Sequence, residues 1–424
     1  MRSDNSPGAW LQTTTGIVVV LIVVQFLTGV LLAFYYVPSV DHAYTTVSYI
    51  EKVVSSGSWI RSLHHYGSQW LTVFVFIHVI RLFVDRAYAS NRIQWIGAIL
   101  LLGLVMAAGG TGYSLPWDAR AFFSTRVAEG LMAGLPLAGG MARLWLLGGS
   151  EISGVTLSRF FALHVLVIPA LIGIVVVWRM FKAQIAVLLG PRDAIVGALV
   201  FLALALWALK HPAPFGPSVA EAGADYLPRP GAQFLWLYQS LKYIPGGLGS
   251  IAGVVLPGIV LAVLVALPWL KRQRLIAGSL LGLGVVLVLI MTTVSYLGDR
   301  RDPRAAQQFA RQAAAEEAWR RQPFSPATIS LAPPTNVTGG APVMYTKYCA
   351  NCHGTQGQGA QQGLLKFPPL LDVSAKPRRS VDDIVSLLKD PAAYGLQPPM
   401  RSFSEKLTEE QMREIAEWIV KLKK

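Results

Sequence analysis

The sequence predicts an all-α membrane protein with seven spans, followed by a small soluble helical domain. Of its 424 residues, 53% are hydrophobic and only 14% are charged, a composition typical of multi-spanning membrane proteins. Seven apolar stretches, each near the ~20 residues needed to cross a bilayer, lie before residue 298. After residue 298 the chain is first charged and Ala-rich, then rich in Pro, Thr and Ser, and finally typical of a small helical domain.

The seven predicted spans are residues 16–36, 69–83 with a polar lead-in from 61, 93–110, 160–180, 194–209, 251–270 and 275–297. The first is predicted to be a retained span rather than a signal peptide, because it is long and no small-residue cleavage site follows it. Short loops rich in Lys and Arg follow the second, fourth and sixth spans, which predicts that these loops and the N-terminus are cytoplasmic. An odd number of spans then predicts a C-terminal domain in the periplasm of a bacterium, outside its inner membrane.

The C-terminal domain contains a c-type haem attachment motif, CANCH, at residues 349–353. Its two thiols, Cys349 and Cys352, are the only cysteines of the chain, so a disulfide framework is excluded. In this motif the thiols form thioethers with the haem and His353 is an axial ligand of the iron. A zinc site would need further Cys or His ligands, and none follows His353.

The sixth iron ligand of this haem needs a sulfur atom or a second histidine. We predict Met400, because the prolines of the QPPM segment at 397–400 hold an extended loop that can present the thioether. Met344 and Met412 are the alternatives, and both are expected to pack inside the fold. With its helix leading into CxxCH, its Pro-Pro-Met loop and a last helix at 408–422, the domain resembles class I cytochrome c.

The second span carries two histidines, His64 and His78, which are fourteen residues apart. On a helix this spacing puts them about 21 Å apart along the axis and on nearly the same face. A histidine inside a membrane helix is costly and is a candidate functional residue. The pair therefore predicts two stacked metal or haem positions, one near each membrane surface. The alternative is a pair of core histidines hydrogen-bonded to neighbouring helices.

Four motifs give the membrane part a resemblance to cytochrome b of the quinol–cytochrome c and plastoquinol–plastocyanin oxidoreductases. They are RSLHHYG at 61–67 with His78 beyond it, GYSLPWD at 112–118, TLSRFFALH at 156–164 and KYIP at 242–245. The resemblance implies a four-helix bundle that holds two haems b, followed by three further helices. The predicted domains are a haem-binding four-helix domain (1–187), a three-helix domain (188–298), a charged stalk and Pro-rich linker (299–342) and the cytochrome c domain (343–424).

By this resemblance, His64 and His164 are the iron ligands of the haem near the outer surface. The order of the spans agrees, because the second and fourth spans both enter the membrane from the outer side at these histidines. The resemblance further implies that Gly29 and Gly112 let a haem pack against backbone. It also implies that Arg61 pairs with a haem propionate.

The inner haem position departs from the family pattern. His78 is present, but the positions where its partner histidine is expected hold Trp178 and Arg179. The two inner glycine positions are Thr15 and Ala98, with glycines one residue away. We therefore hypothesise that the inner haem is absent, or that it is five-coordinate on His78 with Arg179 near its open face. Direct ligation by Arg179 is not expected, since a guanidinium has no lone pair to offer.

The outer quinol site also departs from the family pattern. Where the family carries Pro-Glu-Trp-Tyr, this sequence has PGAQ at 230–233, so the carboxylate is missing. Quinol oxidation releases protons and needs a base. The candidate proton acceptors are the loop acids Glu221, Asp225, Glu129 and Glu151. The alternative is that all four are solvated loop residues.

These features predict a cytochrome b–cytochrome c subunit of a bc-type complex that transfers electrons between membrane quinol and periplasmic carriers. The partners implied are membrane lipid, a Rieske iron–sulfur protein, other cytochrome c subunits, a soluble electron carrier and a second copy of the complex. Nucleic acid is not expected despite the net charge of +14, since there is no basic stripe with interleaved aromatics. Two alternatives are a degenerate scaffold that anchors a haem c relay without quinone chemistry, and a transporter with incidental histidines.

Overall fold

The structure is a computed structural model. It describes residues 13–149, 151–182, 191–219, 221–222, 225–244, 246–324, 343–349, 353, 357, 360–362, 365–367, 369–371, 380–394, 402–404 and 407–422. The chain divides into two compact units, Met1–Phe324 and Ser325–Lys424. Each unit is described separately below.

The first unit consists of helices and connecting loops in its described part. Its α-helices are α1 (Thr14–Ala33), α2 (Ala43–Lys52), α3 (Gly57–Val84), α4 (Ala87–Ser90), α5 (Arg92–Tyr113), α6 (Ala119–Ala133), α7 (Gly139–Leu147), α8 (Gly154–Ala162), α9 (Ile168–Lys182), α10 (Pro191–Lys210), α11 (Leu235–Lys242), α12 (Leu256–Ala266), α13 (Gln273–Arg301) and α14 (Pro303–Arg321). Shorter π-helical or 3₁₀ segments are Leu163–Val167, Ala232–Phe234, Gly246–Leu248, Ile251–Val255 and Leu267–Trp269.

Seven of these helices are long and apolar enough to cross a membrane, which confirms the predicted number of spans. The fourth is one continuous helix in which α8 and α9 flank the π-helical turn Leu163–Val167. The second span is longer than its apolar stretch suggests, because α3 begins at Gly57 and carries the polar residues around His64 inside the helix. We call the end of the bundle where α3 begins the His64 end, and the opposite end the His78 end.

Side-chain caps fix where three helices begin. Two of them, α5 and α8, belong to membrane spans, and the third is α6. Asn91 accepts a hydrogen bond from the backbone of Gln94 at the start of α5, and Asp118 accepts one from Ala121 at the start of α6. Ser153 and Thr156 form a capping box at the start of α8. Such caps satisfy backbone N–H groups that have no partner inside the helix. They set the register of the segments that carry the predicted ligands.

The buried core has two parts along the bundle. One joins α1, α3, α5 and α10, with Leu21, Val75 and Leu204 at its centre. The other joins the His78 ends of α3 and α5 to α12 and α13. Trp95, which is fully buried there, donates a hydrogen bond to the carbonyl of Leu264 at 2.7 Å. The three later spans therefore pack directly on the first four.

The segment expected to be a charged stalk is a helix, α14, but it belongs to the first compact unit. Lys52 Nζ donates to the carbonyl of Trp319 at 2.6 Å, and Arg320 pairs with Glu51 at 3.1 Å. The side chain of Gln312 exchanges hydrogen bonds with the backbone of Leu227. These contacts hold α14 against α2 and the loop after α10, so it covers the His64 end.

The second unit is a small helical domain with one short hairpin. Its elements are α15 (Val343–Tyr348), β1 (Ala360–Gln362), β2 (Leu365–Phe367), α16 (Val381–Lys389), the 3₁₀ turn Pro391–Tyr394 and α17 (Glu409–Lys421). Strands β1 and β2 pair antiparallel, and this hairpin is not foreseen in the sequence. Helix α17, which begins after the cap Thr408, confirms the predicted last helix.

The core of this unit lies between α15, α16 and α17. The Tyr345 and Trp418 rings pack with centroids 4.4 Å apart, and Met412 is buried against them, as predicted for a core residue. Met344 packs against the same cluster. These two methionines therefore serve packing in the described part of the domain.

Candidate functional site

Two histidines face each other at the His64 end of the bundle. His64 lies on α3 and His164 on the π-helical turn, with ring centroids 5.9 Å apart and planes at 82°. Two imidazoles that bind one metal through nitrogens at about 2.0–2.1 Å each have ring centres about 6 Å apart. The structure therefore brings together the two residues that the resemblance implies as ligands of one iron. The π-helical turn, a feature frequent at functional sites, sets the direction of His164.

The hydrogen bonds of Nδ1 in each histidine determine that Nε2 is the nitrogen left to bind a metal. His164 Nδ1 lies 3.0 Å from the carbonyl of Ala108, which can only accept, so Nδ1 carries the proton. His64 Nδ1 lies 2.9 Å from Thr28 Oγ1, whose own proton goes to the carbonyl of Val24 at 2.6 Å. Each ring therefore keeps a lone pair on Nε2. This is the usual arrangement of metal-binding histidines, in which the second nitrogen is held by a neighbour.

The two rings border a cavity of about 890 Å³, within the range of pockets that hold cofactors. Gly29 and Gly112 line it. A Cβ at Gly29 would lie 3.1 Å from His64 Cε1, and a Cβ at Gly112 would overlap the His164 ring. These glycines are thus needed for the positions of the histidines themselves. The residues present, with two free Nε2 atoms beside a large apolar cavity, fit a haem.

Arg61 also lines this cavity, but most of its N–H groups have protein partners. Its Nε pairs with Glu51, and its Nη2 donates to the carbonyls of Ala213 at 2.6 Å and Pro214 at 3.2 Å. Burial alone would raise the pKa of Glu51, but the Arg61 and Arg320 guanidiniums hold that pKa below its usual range. Arg61 therefore ties α3 to α2 and to the loop after α10. Its pairing with a propionate remains a prediction.

The inner histidine has a different environment. His78 is 1% exposed, its Nδ1 lies 3.0 Å from Thr14 Oγ1, and its Nε2 lies 2.9 Å from Arg179 Nη2. A guanidinium can only donate, so His78 Nε2 accepts this hydrogen bond with its lone pair. The same Nη2 lies 3.1 Å from Gln94 Oε1. His78 is therefore hydrogen-bonded to neighbouring helices, as in the alternative interpretation of His64 and His78 as core histidines.

Protein atoms fill the space beside His78. A Cβ at Gly97 would lie 2.5 Å from Arg179 Cγ, and a Cβ at Gly16 would lie 2.7 Å from Asp193 Cβ. The cavity bordered by His78, Arg179 and Thr15 measures about 20 Å³, enough for about one water molecule. Trp178 is half-buried, and Ala98 is packed into the core that joins α5 to α12. The residues at the His78 end do not fit a haem.

The four predicted proton acceptors lie away from the large cavity. Glu129 is buried between Arg126 at 2.8 Å and Arg143 at 2.7 Å. Glu221 accepts hydrogen bonds from Ser218, and Glu151 and Asp225 are exposed. None of the four is among the side chains that line the cavity in the described ranges. Glu151, Asp225 and Glu221 fit the alternative interpretation as solvated loop residues, whereas Glu129 is a buried residue of α6.

Two carboxylates that the sequence interpretation missed do line the cavity: Asp118 and Glu316. Asp118 follows the GYSLPW motif, and its position as a helix cap could have been recognised from sequence. Glu316 lies on α14, in a charged and Ala-rich stretch typical of a solvated helix, so no sequence signal points to it. Gln233 of the PGAQ segment and Tyr226 also line the cavity, and burial raises the pKa of Tyr226 to about 12.

Part of the CANCH motif lies in the described residues. Cys349 is buried after α15, and the His353 backbone N–H donates to the carbonyl of Cys349 at 2.9 Å, so a helical turn separates them. Cys352 and Met400 lie outside the described residues. Their predicted roles remain predictions.

Comparisons with known proteins agree with this geometry. A family model described as Cytochrome b/b6/petB matches residues 9–185, and one described as Cytochrome c matches residues 337–423. The menaquinol:cytochrome c reductase cytochrome b subunit of Geobacillus thermodenitrificans is 39% identical over 164 residues, which are 38% of this chain and 73% of that protein. The chain belongs to the cytochrome b family.

Other cytochrome b relatives are similar to this chain over stretches of comparable length. The corresponding subunit of Bacillus subtilis is 37% identical over 164 residues, 38% of this chain and 73% of that protein. Cytochrome b6 of Prochlorococcus marinus is 33% identical over 177 residues, 42% of this chain and 81% of that protein. The predicted resemblance, including the C-terminal cytochrome c domain, is therefore confirmed.

A solved structure shares the fold. A chain of a hyperthermophilic respiratory Complex III superposes with a TM-score of 0.55 at 19% identity, over 73% of this cytochrome b and 89% of that chain. The predicted helical fold is confirmed. The chain is a multi-pass membrane cytochrome b fused to cytochrome c, two families that bind haem b and haem c, and it is related to subunits of multi-subunit electron-transfer complexes.

Proposed function

We propose that this chain is the cytochrome b/c subunit of a bc-type complex with one haem b and one haem c. The haem b would be held by His64 and His164, and the haem c by Cys349, Cys352 and His353, with Met400 as sixth ligand. The observation that carries the proposal is a contrast between the histidines. His64 and His164 line the large cavity and keep a lone pair on Nε2, whereas the Nε2 lone pair of His78 accepts a hydrogen bond from Arg179.

Membrane quinol is the proposed electron donor. Two relatives are cytochrome b subunits of menaquinol:cytochrome c reductases, which supports a quinol of this class. The wall of the large cavity includes Gln233, whose Oε1 has no hydrogen-bond partner among the described residues, and apolar side chains suited to a ring. Haems bound in the two sites would supply reversible one-electron transfer. The protein's own part is to exclude water, orient the ligands and accept protons.

The hydrogen bond from Arg179 to His78 Nε2 limits the electron-transfer path through the complex. With its Nε2 bonded to Arg179 and about 20 Å³ of free space, the His78 end offers no second haem position. Even the five-coordinate arrangement would need the lone pair that Arg179 occupies. We infer that electrons leave on the His64 side only. Energy conservation by a quinone cycle that uses two haems b across the membrane is then not expected.

Partners and location follow from the same proposal. Both cysteines of the chain belong to the haem c motif, so a Rieske-type iron–sulfur cluster must be on another subunit. Further cytochrome c subunits, a soluble periplasmic carrier, membrane lipid and a dimeric complex complete the proposed assembly. The proposed orientation in a bacterial inner membrane has the N-terminus in the cytoplasm and the His64 end and cytochrome c domain in the periplasm.

A haem count tests the proposal. The pyridine haemochrome of the purified full chain is expected to give one haem b per haem c. The absorption spectrum of the native protein is expected to show a low-spin haem b that is lost in His64→Ala and in His164→Ala. His78→Ala is the matched control and is expected to keep the same ratio. Two haems b per haem c, or loss of haem b in the His78 variant, would contradict it.

A second candidate function is a haem c relay without quinone chemistry. The Gly231 that replaces the family glutamate favours it, because it removes the usual carboxylate from the quinol loop. Stopped-flow reduction distinguishes the two functions. Rapid reduction of haem b by a menaquinol analogue supports quinol oxidation. Reduction by dithionite but not by the quinol analogue supports the relay.

A further inference from the structure

Helix α14 presents one side to the large cavity at helical spacing. Phe309, Gln312, Ala313 and Glu316 all line the cavity and are separated by three, four and seven residues, so they form a single stripe. Gln312 binds the backbone of Leu227, just before the PGAQ segment. The stripe therefore brings Glu316, one turn further along, to the cavity that also contains the quinol loop.

The two oxygens of Glu316 have different environments. Oε1 accepts hydrogen bonds from the Phe215 backbone N–H at 2.9 Å and from Arg320 at 2.7 Å. Oε2 lies 3.6 Å from Arg120 Nη2, too far for a hydrogen bond, and no donor in the described part of the chain bonds it. Arg120 Nη2 is itself buried without a hydrogen-bond partner among those residues. One oxygen thus fixes the side chain, and the other has a lone pair available.

Asp118 is the other carboxylate that lines the cavity, and both of its oxygens accept backbone hydrogen bonds. Its Oδ1 accepts from the Ala121 backbone N–H at 2.9 Å, and its Oδ2 accepts from the Gly216 backbone N–H at 2.6 Å. Protonating Asp118 would weaken the cap of α6. Tyr226 is protonated at neutral pH because burial raises its pKa to about 12. Glu316 is therefore the carboxylate of this wall that can take up a proton without breaking a helix cap.

We propose that Glu316 is the proton acceptor for quinol bound in this cavity. A quinol hydroxyl donates its hydrogen bond to Glu316 Oε2; the O–H bond breaks, the proton passes to Oε2, and the electron pair stays on the quinol oxygen. Arg120 Nη2, beside Oε2, is placed to stabilise the anionic oxygen that results. Because the Glu316 side chain is 22% exposed, the proton can leave towards solvent. This inference rests on the quinol oxidation of the proposed function.

The test compares two neighbouring glutamates on the same helix. Glu316 pairs with Arg320 and lines the cavity, whereas Glu317 pairs with Arg321 and its side chain is 66% exposed. Glu316→Gln keeps an oxygen for the Phe215 N–H, and Glu317→Gln is the matched control. The measurement is the stopped-flow rate of haem reduction by a menaquinol analogue in the purified full chain with its partner subunits. Haem content and dithionite reduction serve as checks on folding.

We expect Glu316→Gln to slow quinol-dependent reduction at least about a hundredfold, the lower end of a general base contribution. Glu317→Gln is expected to remain within about twofold of the parent protein, since exposed pairs contribute little. The parent rate should fall on the acid side, and this acid limb should vanish in Glu316→Gln. The charged and titratable groups around Glu316 that influence this pH dependence are Arg120, Asp118, Arg320, Tyr66 and Tyr226.

Equal rates and equal pH profiles in the two glutamine variants would overturn the assignment of Glu316. A parent protein whose haems are reduced by dithionite but never by quinol would instead overturn the proposed function, whatever the variants do. Should Glu316→Gln lose haem b, Glu316→Asp provides the second test. It retains the carboxylate one methylene shorter and is expected to give an intermediate rate with the acid limb intact. An aspartate variant without that limb would also overturn the proposal.

Discussion

Arg179 donates a hydrogen bond to His78 Nε2 at 2.9 Å, so the nitrogen that would bind an inner iron already has a partner. Among the residues that the structure describes, no donor bonds the corresponding nitrogens of His64 and His164, because their hydrogen bonds run through Nδ1. One arginine thus makes the two ends of the bundle chemically different. Its guanidinium lies inside a membrane span, where a charge is costly and points to a specific role.

Replacing this arginine tests whether it excludes the inner haem. Arg179→His removes the atoms that lie against Gly97, frees His78 Nε2 and supplies a second imidazole. We expect the variant to bind more than one haem b per haem c, measured by pyridine haemochrome. Arg179→Leu opens the same space without a second ligand and is expected to stay at one. A ratio of one in both variants would contradict this role of Arg179.

Gly112 is predicted to be indispensable for the outer haem. An added Cβ would overlap the His164 ring, whereas a Cβ at Gly110, on the same helix, would have nothing within 4 Å. Gly112→Ala is therefore expected to displace His164 and reduce bound haem b to less than about half, while Gly110→Ala keeps it. The haem b to haem c ratio and the Soret band measure the effect. A full complement of low-spin haem b in Gly112→Ala would contradict it.

The sequence was sufficient to predict those parts of the fold that the lipid bilayer constrains. In a bilayer every backbone polar group must be satisfied inside a helix, so apolar length alone predicted the seven spans. The pair of His64 and His164 was also predictable, because the resemblance and the order of the spans put them at one depth. The altered partner of His78 was visible as Trp178 and Arg179.

The sequence was insufficient to predict contacts between polar residues that are distant in the chain. Helix α14 has the composition of a solvated stalk, and its docking depends on tertiary pairs such as Arg320 with Glu51, which are 269 residues apart. The buried pair of Arg61 with Glu51 was not predicted either, and the pairing of Arg61 with a propionate remains a prediction. Local periodicity carries no information about such distant partners. This is why the candidate acids were sought in loops, and why Glu316 was missed.

Thr28 is predicted to tune the outer haem through His64. Its hydroxyl accepts from His64 Nδ1 and donates to the carbonyl of Val24, which fixes the tautomer of the ring. Thr28→Val keeps the shape but removes the acceptor, and loss of such a partner typically weakens metal binding about 10–100-fold. The rate of haem b transfer to an apo-haem acceptor measures this. Thr28→Ser, which keeps the hydroxyl, is expected to match the parent, and equal rates for Val and Ser would contradict the role.

Glu51 is predicted to make the His64 end sensitive to acid. Its side chain is 2% exposed between Arg61 and Arg320, whose charges hold its pKa below the usual value despite burial. A carboxyl whose folded-state pKa is lowered stabilises the fold above its unfolded-state pKa of about 4.3. That stabilisation is lost as the pH falls through the lower folded-state pKa. Thermal unfolding of the full chain in detergent, followed below about pH 4, should show this loss.

The matching substitution is Glu51→Gln, which leaves Arg61 without its counter-charge and Arg320 with Glu316 as its remaining acidic partner. Breaking a buried pair on one side typically costs about 3–5 kcal/mol, so the variant should unfold at a clearly lower temperature at pH 7. Glu317→Gln removes the exposed partner of Arg321 on α14 and should cost no more than about 1 kcal/mol. Because the Gln side chain does not titrate, the acid-dependent loss below about pH 4 should be smaller in Glu51→Gln than in the parent. An undiminished acid transition in that variant would assign the sensitivity to other carboxyls.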